Sequence, residues 1–212
     1  MKKVLAVMMA LLFAVAINAS AQQTIKASVF VGPGLSMPMG PDDFTDYYEM
    51  GFNVGGGVEI QINEMFSIVP RINYNSFGLD EDAFIEELEE ELGYSVEGIE
   101  LDGGSINAIG FGADVKLAVP AGDESKITPY FLGGLGMTSV SFSDLEMTYE
   151  GESETMEIDE SETDFTVEFG AGMEIAISPK MSLFVDGKYV IIMAEDDNIT
   201  YVPFHVGLIF GL

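Results

Sequence analysis

The feature that most constrains the fold is an alternation of apolar and polar residues that recurs in eight segments. In one of them, Phe165, Val167, Phe169, Ala171 and Met173 occupy every second position. A period of two places such residues on one face of a β-strand. The alternation therefore predicts an all-β protein, with strands at 24–34, 50–62, 66–76, 105–119, 127–142, 165–177, 181–192 and 201–212.

The acidic residues are concentrated in four long connections between these strands. Residues 37–49, 77–104, 143–164 and 193–200 hold 28 of the 36 Asp and Glu residues and none of the 8 Lys and Arg residues. The other three connections are short. Bacterial outer-membrane barrels have short periplasmic turns, long external loops and an even number of strands. We therefore predict an eight-stranded antiparallel up-and-down transmembrane β-barrel with long acidic external loops.

The first 21 residues have the pattern of a cleaved signal peptide. Lys2 and Lys3 precede an apolar run at 4–17, and Ala19-Ser20-Ala21 matches a cleavage site. The apolar run is shorter than the roughly 20 residues that a transmembrane helix needs. We predict a signal peptide at 1–21 and a single β-barrel domain at 22–212.

Composition excludes several classes of function. The chain has no Cys, so disulfide scaffolds, zinc ribbons, thiol nucleophiles and lipid-acceptor cysteines are ruled out. Its formal net charge of −28 opposes binding to the phosphates of nucleic acid. We predict no cofactor and expect a monomer.

If the apolar face meets lipid, the opposite face lines the barrel interior. Eight strands enclose a space that side chains fill, and buried charges there must be paired. We predict a plugged lumen in which Glu59 reaches Arg71 diagonally across the first hairpin. The predicted ion-pair network comprises Lys26, Glu59, Arg71, Asp114, Lys116, Glu168, Glu174, Asp186 and Lys188.

Aromatic residues near the strand ends predict girdles at the two membrane interfaces. Ordinary core packing is the alternative. The predicted girdle residues are Tyr47, Tyr48, Phe52, Tyr74, Phe77, Phe165 and Tyr201 at the loop end, and Phe66, Phe131 and Phe210 at the other end.

Three segments carry a resemblance to a known family. Residues 55–60, 67–74 and 204–212 resemble the small outer-membrane β-barrel domain family of OmpX-like and PorT-like proteins. The resemblance implies an outer-membrane lipid environment and assembly by the barrel-assembly machinery. Members usually end in an aromatic residue, whereas this chain ends in Leu212 with Phe210 two residues earlier. The resemblance implies no single activity.

Two of the acidic loops contain further patterns. Within residues 80–93, Ile85, Leu88 and Leu92 share a helical face and Gly93 suits a C-cap, so a short helix over the barrel mouth is predicted. Clustered carboxylates in the third loop suggest divalent-cation binding, loose cation accumulation or attraction of basic partners; the metal is unknown. These candidates are Glu150, Glu152, Glu154, Glu157, Asp159, Glu160 and Glu162.

The residues leave more than one function open. The first hypothesis is a non-enzymatic outer-membrane protein with a structural or surface-interaction role. The alternatives are a small-solute transport barrel and a lipid-modifying enzyme that uses His205, the only histidine. A soluble periplasmic carrier, with its apolar face turned inward, is a separate alternative for location.

Overall fold

The computed structural model describes residues 26–94, 98–119, 122, 125–149, 152–158, 161–195 and 197–212. The predicted signal peptide lies outside the described residues and stays a prediction. No helix within the described ranges is long and apolar enough to cross a membrane.

Eight long strands form the barrel: β1 Lys26–Gly40, β2 Gly51–Gln61, β3 Phe66–Phe77, β5 Ile106–Ala118, β6 Ile127–Phe142, β9 Ser161–Ser178, β10 Met181–Met193 and β11 Ile199–Gly211. They close into an antiparallel barrel in the order β1-β11-β10-β9-β6-β5-β3-β2. Barrel strands that follow one another along the chain are neighbours, so the predicted up-and-down topology is confirmed.

The long connections meet at one end of the barrel, the loop end, and the short ones at the other, the turn end. The loop end carries helices α1 (Asp42–Tyr47) and α2 (Glu81–Leu92). It also carries a separate three-stranded sheet, the loop sheet, formed by β4 (Ile99–Gly103), β7 (Leu145–Tyr149) and β8 (Glu152–Met156).

The alternation of each barrel strand separates an apolar outer face from an inner face. Val31, Ile72 and Phe131 point outward and are more than half exposed. Ser36 and Asp114 point inward and are buried. Because the apolar face is the outer one, the structure contradicts a soluble carrier with an apolar interior.

Helix α2 confirms the helix predicted within residues 80–93. The Asp80 side chain accepts a hydrogen bond from the Ala83 N–H at 3.1 Å, which caps the first turn. Gly93 ends the helix at a φ of +73°, a conformation that glycine adopts without strain.

Two barrel strands extend by four or more residues beyond a predicted end. Strand β1 runs six residues past the predicted end at 34, and β9 begins four residues before 165. In the ladder of β6 and β9, the outward pairs at the loop end become Ser139 with Thr163 and Ser141 with Ser161. The hydrogen-bonded ladder therefore continues past the last outward apolar residue. The alternation of apolar and polar residues could not predict this extension.

Candidate functional site

The centre of the bore is crossed by four charged side chains, which we call the ionic ring: Arg71, Asp114, Glu168 and Lys188. Arg71 Nε lies 2.9 Å from Asp114 Oδ1, and Lys188 Nζ lies 2.8 Å from Asp114 Oδ2. On the far side, Glu168 Oε1 lies 2.7 Å from Lys188 Nζ. Each carboxylate therefore contacts both cations, and the ring is neutral in total.

The ring spans the interior because its members come from separated strands. Arg71 lies on β3 and Glu168 on β9, and strands β5 and β6 stand between them in the barrel order. Arg71 Nη2 reaches Glu168 Oε2 at 2.5 Å; the contact lies outside hydrogen-bond geometry and acts as an ion pair. The four side chains are 1–11 % exposed, so water screens these charges weakly.

A second charged cluster lies closer to the turn end. Lys116 Nζ contacts Glu59 Oε2 at 2.8 Å and also contacts Glu174 Oε1. Ser67 donates a hydrogen bond to the other Glu59 oxygen at 2.7 Å. The predicted diagonal contact between Glu59 and Arg71 is therefore wrong, because each of them pairs with charges from other strands.

Asp186 accepts contacts from two aromatic side chains. Its Oδ1 lies 3.0 Å from His205 Nδ1, and its Oδ2 accepts a hydrogen bond from the Tyr130 hydroxyl at 3.0 Å. The Lys116 ammonium lies 4.5 Å from the centre of the Tyr130 ring, which links this group to the second cluster. No serine hydroxyl is among the described hydrogen-bond partners of His205.

Lys26 lies outside this network, contrary to prediction. It is the first residue of β1 and is exposed at the turn end, and it forms no ion pair with any described residue. A position at the rim leaves its ammonium in water, so a buried partner is not required. The predicted residues that do meet are Glu59, Arg71, Asp114, Lys116, Glu168, Glu174, Asp186 and Lys188.

The loop end of the bore is filled by apolar side chains, which we call the apolar layer. Phe44 of α1 packs against Phe77 with ring centres 4.9 Å apart, and Phe77 packs against Tyr201 at 5.5 Å. Phe77 and Tyr201 are each 1 % exposed, so their assignment to the girdle is wrong. The layer comprises Phe44, Phe77, Ile106, Ala108, Val140, Val190, Ile192 and Tyr201.

A chain of buried polar side chains, the polar belt, is hydrogen-bonded to Tyr201 of the apolar layer. Asn53 donates to Ser36 Oγ at 2.9 Å, and Ser36 donates to Asn75 Oδ1 at 2.8 Å. Asn75 in turn donates to the Tyr201 hydroxyl at 3.3 Å. These side chains are buried, and the hydrogen bonds of Asn53 Nδ2, Ser36 Oγ and Asn75 compensate for lost water, whereas Asn53 Oδ1 has no described hydrogen-bond partner.

The bore has little free volume beside the ionic ring. Two cavities that reach Asp186 and Lys188 have volumes of about 40 Å³ and 30 Å³, which is space for a few water molecules. A larger cavity of about 180 Å³ lies at the turn end, between Lys26 and Glu174. Among the described residues, side chains therefore leave little space in the middle of the bore, and a larger space lies at the turn end.

Helix α1 and the loop sheet are attached to the barrel mouth. Tyr48 pairs with Leu79 in an isolated bridge, and the Asp80 N–H donates to Tyr47 O at 2.8 Å. Burial raises the pKa of the Tyr48 phenol above its ordinary value. At the loop sheet, Gly104 N–H donates to the Asp144 carbonyl at 3.0 Å. These contacts hold the loop end as a folded surface.

The predicted cation-binding carboxylates are only partly described. Glu152 and Glu154 lie on β8, Glu157 follows it, and Glu162 lies on β9; all four are exposed. Glu150, Asp159 and Glu160 lie outside the described residues. Among the residues that the structure describes, no three His, Cys, Asp or Glu side chains are grouped closely enough to hold a metal ion.

Comparison with known proteins supports the observed architecture. The sequence model of the family described as outer membrane protein beta-barrel domain matches residues 8–210. A major outer membrane protein from Thermus thermophilus is similar at a TM-score of 0.52 and 11 % identity, covering 90 % of this chain and 100 % of that one. Neisserial surface protein A is similar at a TM-score of 0.50 and 11 % identity, covering 88 % and 95 %.

These structural similarities support the fold alone, because the identities are so low. No curated protein matches the chain.

Proposed function

Because the chain belongs to the outer membrane protein β-barrel domain family and is an outer-membrane protein, we propose that it is a closed, non-enzymatic membrane anchor. Its role is to display the folded acidic surface of the loop end to the outside. The observation that carries the proposal is the ionic ring, whose contact between Arg71 and Glu168 spans the bore.

The ring opposes conduction because opening it would expose buried charges without partners. Removing one partner of a buried ion pair costs about 3–5 kcal/mol, so the paired state is strongly favoured. Above the ring, the described side chains of the apolar layer, Phe44 among them, are mostly apolar and are an unfavourable environment for an ion. Two successive barriers of different chemistry therefore lie between the two ends of the bore.

The same geometry argues against catalysis inside the barrel. His205 and Asp186 are enclosed by the strands, with side chains about 10 % and 8 % exposed. Both oxygens of Asp186 are used in contacts with His205 and Tyr130, which is a structural arrangement. The surface offered to partners is then the loop end, with its helices and loop sheet.

Planar-bilayer recordings of the purified protein test the proposal. The wild-type protein should give no steady conductance, while a variant with Phe44→Ala, Arg71→Ala and Glu168→Ala should conduct because both barriers are shortened. Heat-modifiable electrophoretic mobility reports whether each barrel is folded. Steady conductance of the folded wild-type protein would reject the closed anchor and favour transport of small solutes.

A further inference from the structure

Among the described strands, the last strand of the loop sheet has a neighbour on one side only. Its order is β4-β7-β8, and β8 pairs with β7 alone among the described strands. Every residue of β8 is exposed, whereas β4 at the opposite edge buries Leu101. An edge strand of this kind presents backbone N–H and C=O groups to another strand.

The side chains of β8 continue the two faces of the loop sheet. Tyr149 pairs with Glu152 and Met147 pairs with Glu154, so these two carboxylates share a face with Met156. Ser153 and Thr155 occupy the opposite face. A strand added outside β8 would therefore have every second side chain beside a carboxylate or beside Met156.

The negative charge of β8 favours some binding partners over others. β8 has no basic residue, and a second copy of the chain would bring two more carboxylates to the face of Glu152 and Glu154. Like charges on facing strands are destabilising, whereas opposite charges stabilise the pair. A basic strand is therefore favoured over self-association.

We propose that β8 binds an extended basic segment of another protein, which adds to the loop sheet as a fourth strand. Backbone hydrogen bonds supply affinity, and alternate side chains supply specificity. In an antiparallel arrangement, the segment carries an apolar residue beside Met156 and then Lys or Arg beside Glu154 and Glu152. The inference rests on the proposed function, since it identifies the class of partner that the loop end takes.

A synthetic peptide with the central sequence Leu-Thr-Lys-Thr-Lys tests the proposal against the full-length protein in lipid nanodiscs. Fluorescence anisotropy should show saturable binding, and hydrogen exchange of the amides at 152–156 should slow. A peptide with Glu in place of both Lys residues should bind about tenfold more weakly or worse. A peptide methylated at alternate backbone nitrogens should lose binding, because it lacks the donors for the ladder.

A pair of protein variants separates the edge from general charge. Glu152→Lys with Glu154→Lys should weaken binding of the Lys peptide about tenfold and improve binding of the Glu peptide. Glu86→Lys with Glu87→Lys changes the net charge equally on the exposed surface of α2. This control should retain affinity within about twofold, since long-range attraction is largely screened at physiological salt.

Besides a failure of the Lys peptide to bind, three results would overturn the inference. They are undiminished binding of the methylated peptide, equal loss of affinity in both protein variants, and a wild-type dimer that the Glu152→Lys/Glu154→Lys variant dissolves. The bilayer recordings remain independent of these results. A barrel that shows no conductance and does not bind the peptide would support the closed anchor and reject the basic partner. A barrel that conducts and binds the peptide would reject the closed anchor and support the basic partner.

Discussion

The apolar layer and the ionic ring fill neighbouring levels of one bore, but different parts of the chain supply them. All four side chains of the ring come from barrel strands, whereas the apolar layer needs Phe44 from helix α1 in a loop. The ring therefore closes as soon as the strands close. The apolar layer closes only when a connection folds back over the mouth.

The apolar layer and the ionic ring also differ in how they tolerate the substitution of one side chain. An apolar layer that loses one side chain keeps its remaining contacts, and the loss grows with the cavity that is left. An ionic ring that loses one member keeps a buried charge without a partner. Substitutions in the ionic ring and in the apolar layer should therefore differ in the unfolding free energy that they cost. They should also differ in how far through the barrel their effect extends.

Arg71→Met should have the largest effect of the substitutions considered. It leaves Asp114 and Glu168 to share Lys188, so we expect a loss of about 3–5 kcal/mol in the free energy of unfolding. Urea titration in lipid vesicles measures this loss. Adding Glu168→Gln should recover part of it, because the ring regains charge balance.

Lys26→Met is the matched control, because Lys26 is exposed and lies outside the network. Its urea midpoint should stay unchanged. If Arg71→Met shifted the unfolding free energy no more than this control does, the ring would have no role in closing the barrel.

Phe44→Ala should cost about 3 kcal/mol, near the lower limit for truncating a buried phenylalanine. The loss should be local, because Phe44 joins α1 to a barrel that is already closed below it. Hydrogen exchange at 42–48 should accelerate while the amides of β3 and β10 stay protected. Loss of protection throughout the barrel would contradict a separable apolar layer.

Gly172→Ala should have the smallest effect of the three, about 1–3 kcal/mol. A Cβ at Gly172 would lie 2.6 Å from the Tyr130 hydroxyl and 2.6 Å from Asp186 Cβ, so it would displace the contacts of Asp186. Gly133→Ala is the matched control on the outer face, where a Cβ has no described atom within 4 Å. Equal unfolding free energies for the two variants would contradict tight packing of Gly172 against Tyr130 and Asp186.

Some features that were mispredicted had a signal in the sequence. Phe77 and Tyr201 occupy the inward parity of their strands, so strict alternation would have placed them in the bore instead of the girdle. Leu145, Met147 and Tyr149 alternate within an acidic loop and form β7. Because many carboxylates surround these residues, the segment is interpreted as a loop, and a strand outside the barrel is not predicted.

Other features had no signal in the sequence. The sequence favours a contact between Glu59 and Arg71 because adjacent strands can be aligned from a hairpin. The actual partner of Arg71 across the bore, Glu168, lies 97 positions away along the chain. Such a contact depends on barrel closure and on the stagger of strands that are not neighbours.

The sequence alone determined which face of each strand is apolar, how many strands form the barrel and which connections carry the acid. These properties are local, because a period of two and the length of a connection can be read within one segment. Tertiary structure alone decided which charges pair across the bore, that Phe44 packs into its loop end, and that β8 is an edge strand among the described strands. These properties depend on side chains from distant segments that meet only when the barrel has closed.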